Sequence, residues 1–396
     1  MLIEIILSLF IGILFGTFTG LTPGIHINLI GAFLISLSVT TFYSINPLYL
    51  IVFIASMAIT HTFVDFIPSI FLGCPDTDTE LSILPGHELL KKGQGYEAII
   101  LTAYGSLAAV FILILISFPS ILLISVVYDS IKFLIPYVLI LVSAILVFSE
   151  KKKFSALFVF LLAGFLGLSV LNMAENSEKF LLPLLTGLFG SSMLLISIKN
   201  KTQIPKQKIT TPKTNLFRPL YGAVIASPIC SFLPGLGSGQ AAIIGNSLSR
   251  TNKKGFLVLV GATNTLVMGF SFISLYVISR TRTGAAATIQ NIIGNMSWEI
   301  LVLILTIVLF SGVISFFLTK FLANLFSKNI KKINYTLISS ATLLLLIIVV
   351  FLVSGFIGLV ILIASTFTGI YSISLGVRRT NMMGVLLIPT ILVYLV

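Results

Sequence analysis

Residues 19–28 read TGLTPGIHIN and residues 231–240 read SFLPGLGSGQ. The pairs Pro23-Gly24 and Pro234-Gly235 each interrupt an apolar run and lead into a second, polar-flecked one. Proline brings no amide hydrogen and clashes with the preceding turn, while glycine tolerates positive φ, so such a pair breaks a helix. Two more stretches recur in the same order. Thr60-His61-Thr62 matches Thr263-Asn264-Thr265, and GFLGL at 164–168 matches GFIGL at 355–359. Matches at three places in one order indicate an internal duplication.

The solvent for these runs is lipid. The chain has 396 residues, 57% of them hydrophobic and only 9% charged, with a mean hydropathy of +1.14. A water-soluble domain must carry more polar surface than that. In hydrocarbon every backbone polar group needs an internal partner, so the runs are expected to be helices. The first run, from Leu2, lacks a basic region and a cleavage site, so it is read as a membrane segment and not a signal peptide.

Fourteen apolar segments are predicted: Ile3–Phe18, Ile25–Phe42, Leu48–Leu72, Ala98–Phe118, Phe133–Phe148, Phe154–Leu171 and Leu181–Ile198, then Leu216–Phe232, Gly237–Leu248, Phe256–Ile278, Trp298–Phe317, Tyr335–Val353, Phe356–Leu375 and Met382–Leu395. The expected fold is therefore an all-α polytopic membrane protein of two repeats, residues 1–198 and 216–396, joined by a basic linker, 199–215. Seven segments per half turn the second repeat over. The basic residues test this parity, because Lys and Arg concentrate in cytoplasmic loops. With the linker cytoplasmic, 20 of the 24 basic residues fall inside and only Lys132, Lys179, Arg280 and Arg282 outside. Both termini are then expected outside the cell membrane. The parity holds whether the first two segments of each half cross fully or form a re-entrant hairpin. The net charge of +12 thus reports topology, and nucleic acid is not an expected partner.

A helix restarting after each break presents free amide hydrogens and the positive end of its dipole, which suits an anion. The expected substrate-binding residues are Thr22, Pro23, Gly24, His26 and Asn28 at the first break and Pro234, Gly235, Gly237, Ser238 and Gln240 at the second, with Gly239 between them and Asn264 nearby in the third segment. The competing reading makes each Pro-Gly pair a loop turn, with hydroxyls bonded back to their own helix. Thr60, His61, Thr62 and Asp65, with Thr263 and Thr265, form the expected coupling-ion set. His61 and Asp65 lie four apart on one helical face, and a carboxyl inside a membrane segment marks function by default. It could take Na⁺ or relay a proton through His61, or the pair could simply brace the bundle. Asn264 stands where His61 falls and Met268 where Asp65 falls, so a cation role would be asymmetric.

Asp76, Asp78 and Glu80 resemble a cation loop but lack the other ligands of a calcium site, and a solvated turn is the plainer reading. Arg280 and Arg282 occupy the corresponding place in the second half, where an approach path for anions is one use for them. Cys74 and Cys230 fit no metal spacing and read as small apolar residues. Trp298 reads as an interfacial anchor. No hydrolase, nucleotide-binding or metalloprotease motif occurs, so neither an enzyme nor a metal or organic cofactor is expected, apart from a coupling Na⁺ or H⁺.

The stretches GTFTGLTPGIHIN, PGHELLKKGQGYEA, LPLLTGLFG and FLPGLGSGQAA together resemble the large permease subunit of tripartite tricarboxylate transporters, the TctA-type family, especially its shorter archaeal-type members. The resemblance implies cation-coupled import of di- or tricarboxylates, with a small membrane subunit and an extracytoplasmic solute-binding protein as partners. It also places Pro23-Gly24 and Pro234-Gly235 at the substrate site. The chain is shorter than the usual bacterial permeases and carries no fused small subunit. A homodimer is compatible with the sequence. The competing function is a lipid-linked phosphate flippase, since helix N-termini bind phosphate as readily as carboxylate.

Overall fold

The computed structural model describes residues 2–22, 46–72, 79–173, 178–199, 205–232, 237–281, 283–330 and 335–395. Both Pro-Gly pairs, His26, Asn28, Cys74, Asp76, Asp78 and Arg282 lie outside them. The described residues form helices and no strand. In the first half these are α1 (Leu2–Leu21), α2 (Pro47–Val64), α3 (Phe66–Leu72), α4 (Ile83–Lys91), α5 (Gly95–Ile131), α6 (Ile135–Phe148), α7 (Lys153–Leu171), α8 (Glu178–Leu185) and α9 (Ser192–Lys199). A π-helical turn, Thr186–Ser191, joins α8 to α9. The second half holds α10 (Phe217–Phe232), α11 (Ser238–Ser249), α12 (Lys253–Ile278), α13 (Gly284–Ile293), α14 (Trp298–Asn329), α15 (Tyr335–Ser374) and α16 (Gly384–Leu395).

Thirteen of the fourteen predicted segments coincide with helices, and the other, Ile25–Phe42, lies outside the described residues. Among the described residues, seven helices, with α2 and α3 taken as one, are long and apolar enough to cross a membrane. The predicted boundary between Val353 and Phe356 falls on Gly355, whose φ of 63° and ψ of −158° break α15 into two helices. This differs from its sequence counterpart: Gly164 and Gly167 lie inside unbroken α7, against Ile388 and Val385 of α16. The GFLGL and GFIGL stretches therefore hold different positions along their helices. At 12 residues, α11 rises only about 18 Å, well short of the ~30 Å of hydrocarbon, so by itself it is a half-span.

The helix ends follow local chemistry. Asn46 caps α2 by accepting from the Leu48 amide at 3.0 Å, and Asn252 caps α12 by accepting from Gly255 at 2.8 Å. Between α2 and α3 the chain turns at Asp65. Pro68 follows, with no amide hydrogen to return to Val64, and the Ser69 hydroxyl donates to the Asp65 carbonyl at 2.7 Å.

Close packing rests on small residues, as expected where lipid supplies no hydrophobic drive between helices. Gly12, Gly16 and Gly20 recur every fourth residue along α1 and seat it on Ser56, Thr60 and Val64 of α2. Gly105 of α5 lies against the Val258 carbonyl of α12, and Gly261 of α12 against the Thr102 carbonyl of α5.

The packing partners follow a pattern. The first segment of each half packs on its own third, α1 on α2 and α10 on α12. The fourth packs on the third of the other half, α5 on α12 and α14 on α2. The sixth packs on the seventh of the other half, α7 on α16 and the second part of α15 on the π-helical turn and α9.

Two apolar cores result. The first is formed mainly by α1 to α5 and α12 to α14. The second is formed mainly by α6 to α8, the π-helical turn, the second part of α15 and α16. Helices α10 and α11 lie between them: Ala223 and Ala242 belong to the first core, and Ala226, Cys230 and Ala241 to the second.

The linker is fastened to the first core. Gln207, 6% exposed, accepts from the Gly95 amide at 2.7 Å and donates to the Leu90 carbonyl at 3.1 Å. The Lys208 amide donates to the carbonyl of Gly93 at 2.7 Å. Ion pairs Lys253–Glu88 and Lys254–Glu97 tie the start of α12 to the same corner.

Replacing Gly261 by leucine is expected to split α5 from α12 and lower the thermal midpoint of the detergent-purified protein by several degrees. Gly190→Ala, where an added Cβ meets nothing nearer than 3.8 Å, should leave it within a degree or two. Fluorescence-detected size exclusion after heating measures both.

Candidate functional site

A buried polar cluster sits where α1, α2, α12 and α14 meet. Thr60, His61, Thr62, Asp65, Thr263, Asn264 and Thr265 are each at most 3% exposed. Buried polar groups need partners, or they cost free energy, and here most of the partners come from neighbouring helices. The Asn264 amide of α12 donates to an Asp65 carboxyl oxygen at 2.9 Å and approaches the Thr62 carbonyl at 3.5 Å. The Thr62 and Thr265 hydroxyls share a hydrogen bond at 3.1 Å. On α14, Ser315 donates to the Thr60 hydroxyl at 2.8 Å. The His61 ring joins Thr19 of α1 through Nδ1 at 3.0 Å, and its Nε2 lies 4.0 Å from Asp65. The Thr263 hydroxyl bonds back to the Val260 carbonyl at 3.0 Å.

The two recurring tripeptides are therefore in direct contact. Asn264, grouped with the substrate residues in the sequence reading, lies instead against Asp65 and Thr62. Thr19 and Ser315 complete the cluster. Thr19 sits beside Gly16 and Gly20, and that small-residue spacing could have flagged its helix face. Ser315 is one hydroxyl in an apolar run, and nothing in the sequence distinguishes it.

The second candidate region is the start of α11. Gly237 is its N-cap, with extended backbone at φ −105°. The Gln240 side chain reaches back, its Oε1 accepting from the Gly237 amide at 2.7 Å. Gln240 is fully buried, and its Nε2 has no hydrogen-bond partner among the described residues. The Ser227 hydroxyl of α10 is likewise buried without a partner. Both flank, along the chain, the segment containing Pro234 and Gly235. Ser238 is buried in the first turn of α11. At the first break, the Thr22 hydroxyl donates to the Phe18 carbonyl at 2.8 Å, so this threonine closes α1 as the loop-turn reading expects.

Beneath α3, the α4 residue His87 has a ring whose Nε2 is shut from solvent and has no hydrogen-bond partner among the described residues. Burial, then the charges of Lys91 and Arg379, push its pKa down to about 4. No group of three or more His, Cys, Asp or Glu able to hold a metal ion occurs among the described residues.

The described residues form a helical bundle of the kind an integral membrane protein has, with polar side chains gathered between its two halves. The family model described as "Tripartite tricarboxylate transporter TctA family" matches residues 6–384, and the chain belongs to that family. It is also 32% identical over 401 residues to "Uncharacterized protein MJ1079" of Methanocaldococcus jannaschii, covering 98% of this chain and 99% of that protein. No solved structure matches it. The chain is thus a component of a tripartite tricarboxylate transporter system, and the family match gives no support to the lipid-linked phosphate flippase.

His87 carries a pH prediction. The unfolded chain takes up this proton near pH 6.5, and the folded one only near about 4. The fold therefore loses stability as pH falls through that window. His87→Gln is expected to flatten the fall in thermal midpoint between pH 7 and 4.5, measured side by side with the parent chain by differential scanning fluorimetry.

Proposed function

We propose that the chain is the permease of a secondary transporter for di- or tricarboxylates, driven by Na⁺ or H⁺ and working by alternating access. The observation that carries this reading is the position of α11. A helix start, with its positive dipole end, occurs where two separate cores meet, beside a buried Gln240 amide donor with no partner among the described residues. An anionic carboxylate is the ligand such a site favours. Pro234, Gly235, Gly237, Ser238 and Gln240 supply the second-half side of the site. Pro23, Gly24, His26 and Asn28 are assigned its first-half side, with Thr22 bracing the helix end before them.

The exchange of packing partners between halves supports reading residues 1–198 and 216–396 as inverted repeats, the architecture in which two halves trade conformations around a central site. The basic linker is then cytoplasmic and both termini face outward across the cell membrane.

The cluster around Asp65 is assigned the coupling ion. Thr60, Thr62, Thr263 and Thr265 offer hydroxyl or carbonyl oxygens, Asn264 an amide oxygen and Asp65 a carboxylate, which are hard ligands of the sort a small cation takes. His61, beside Asp65, offers the alternative of proton relay. A small membrane subunit and an extracytoplasmic solute-binding protein are the partners expected from the family's tripartite organisation.

Proteoliposomes holding the purified chain, alone and with its genomic partners, should accumulate a labelled tricarboxylate or dicarboxylate only under an imposed Na⁺ or pH gradient. Gln240→Ala should cut uptake by about tenfold, the scale of one lost hydrogen bond to a charged group, and Asp65→Asn should remove the response to the gradient. Uptake that ignores both gradients, or survives both substitutions in folded protein, would overturn the reading.

A further inference from the structure

At the linker end of α10, a cleft of about 320 Å³ is lined by Phe217, Arg218 and Tyr221 of α10 and by Leu248, Ser249 and Arg250 at the end of α11. The glycines build it. Gly222 and Gly245 bring the two helices together so closely that a Cβ on either would meet the other's backbone, and the helix ends beyond this crossing leave the cleft. Arg250 closes α11 in the left-handed region, φ 48°, which carries its side chain to the mouth. The Ser249 hydroxyl is occupied by the Gly245 carbonyl at 2.7 Å.

Two features combine at this place. First, the guanidinium groups of Arg218 and Arg250, which line one cleft, have no acid and no hydrogen-bond acceptor among the described residues, whereas Lys253, Lys254 and Arg378 have carboxylate partners. Second, the rim is apolar and open: Phe217 is 77% exposed, Tyr221 53% and Leu248 52%. On a helix in a membrane protein such a face meets acyl chains. Two unpaired cations beside an exposed aromatic and aliphatic rim, at the level where the helices leave the basic linker, complement a molecule with an anionic head and apolar tails. Arginine also suits a phosphodiester, because its planar fork can give it two hydrogen bonds at once.

We propose that this cleft binds the phosphate headgroup of an anionic membrane lipid from the leaflet on the linker side. Arg218 and Arg250 hold the phosphate, while Phe217, Tyr221 and Leu248 pack against the chains. The site lies away from the unpartnered Gln240 amide, at the opposite end of α11. It therefore does not depend on the carboxylate-transport reading. A lipid seated there fastens α10 and α11, the two helices between the cores, to the bilayer.

The test uses the full-length chain purified in detergent, titrated with phosphatidylglycerol or phosphatidylcholine, with bound lipid counted by native mass spectrometry. The parent chain should retain phosphatidylglycerol in preference to phosphatidylcholine. Arg218→Gln and Arg250→Gln should each weaken that retention about fivefold, the worth of one basic side chain at an anionic surface. Lys208→Gln, an exposed linker residue, should leave it unchanged. Each single variant keeps one guanidinium, so the two substitutions are compared separately with the parent chain. Equal retention of the two lipids, equal loss in Lys208→Gln, or competition by millimolar inorganic phosphate as effective as that by the lipid would each overturn the proposal. The last of these would assign the cleft to free phosphate.

Discussion

A carboxyl group among membrane helices costs roughly 2.5 to 3.5 kcal/mol at mid-bilayer depth, and that cost organises the centre of this molecule. Asp65 sits at the junction of α2 and α3, against an Asn264 amide from the other half of the chain. Removing the Asn264 amide would take away one of the bonds that hold the buried carboxyl. The helices carrying them are consequently held in register by polar bonds, while the surrounding glycines remove the bulk that would keep the backbones apart. Small residues act at the neighbouring contacts, α1 with α2 and α5 with α12, while polar bonds join α2 to α12 and α14.

Around that centre the chain divides its apolar residues between two cores, and helices α10 and α11 serve both. A helix shared by two packed bodies is a natural place for a ligand that must be exposed first to one side and then to the other. Burial varies widely within the first core: the best span of α2 and α3 is 89% buried and that of α12 94%, but those of α1 and α5 only 28% and 22%. Helix α7, in the second core, has 39% of its span buried. The difference reflects how much of each helix is turned toward lipid instead of protein.

Much of this was legible in the sequence. Apolar run length and turn residues located helices, since lipid permits few other structures, and Gly355 could be read as a break because the runs on either side are each long enough to cross. The Thr-His-Thr and Thr-Asn-Thr stretches were recognisable as counterparts, and their contact follows from the packing of α2 beside α12. What the sequence hid was pairing in three dimensions. Ser315 looks like any hydroxyl in an apolar helix until α14 lies on α2. The position of Asn264 in the repeat was visible in the sequence, but the carboxyl facing it was not. GFLGL and GFIGL match letter for letter in all but one place, yet one is uninterrupted helix and the other begins at a break. Glycine permits that difference without requiring it.

The anchoring of Gln207 has a mechanical corollary. Since the amide is buried in the corner made by Leu90, Gly93 and Gly95, residues 206–208 ride as part of the first body. Whatever slack joins that body to α10 is confined to the few residues from Ile209 to Leu216, a tether at most about 3.5 Å long per residue. The connection between halves therefore works as a short leash, limiting how far α10 can travel from the corner where Gln207 is held.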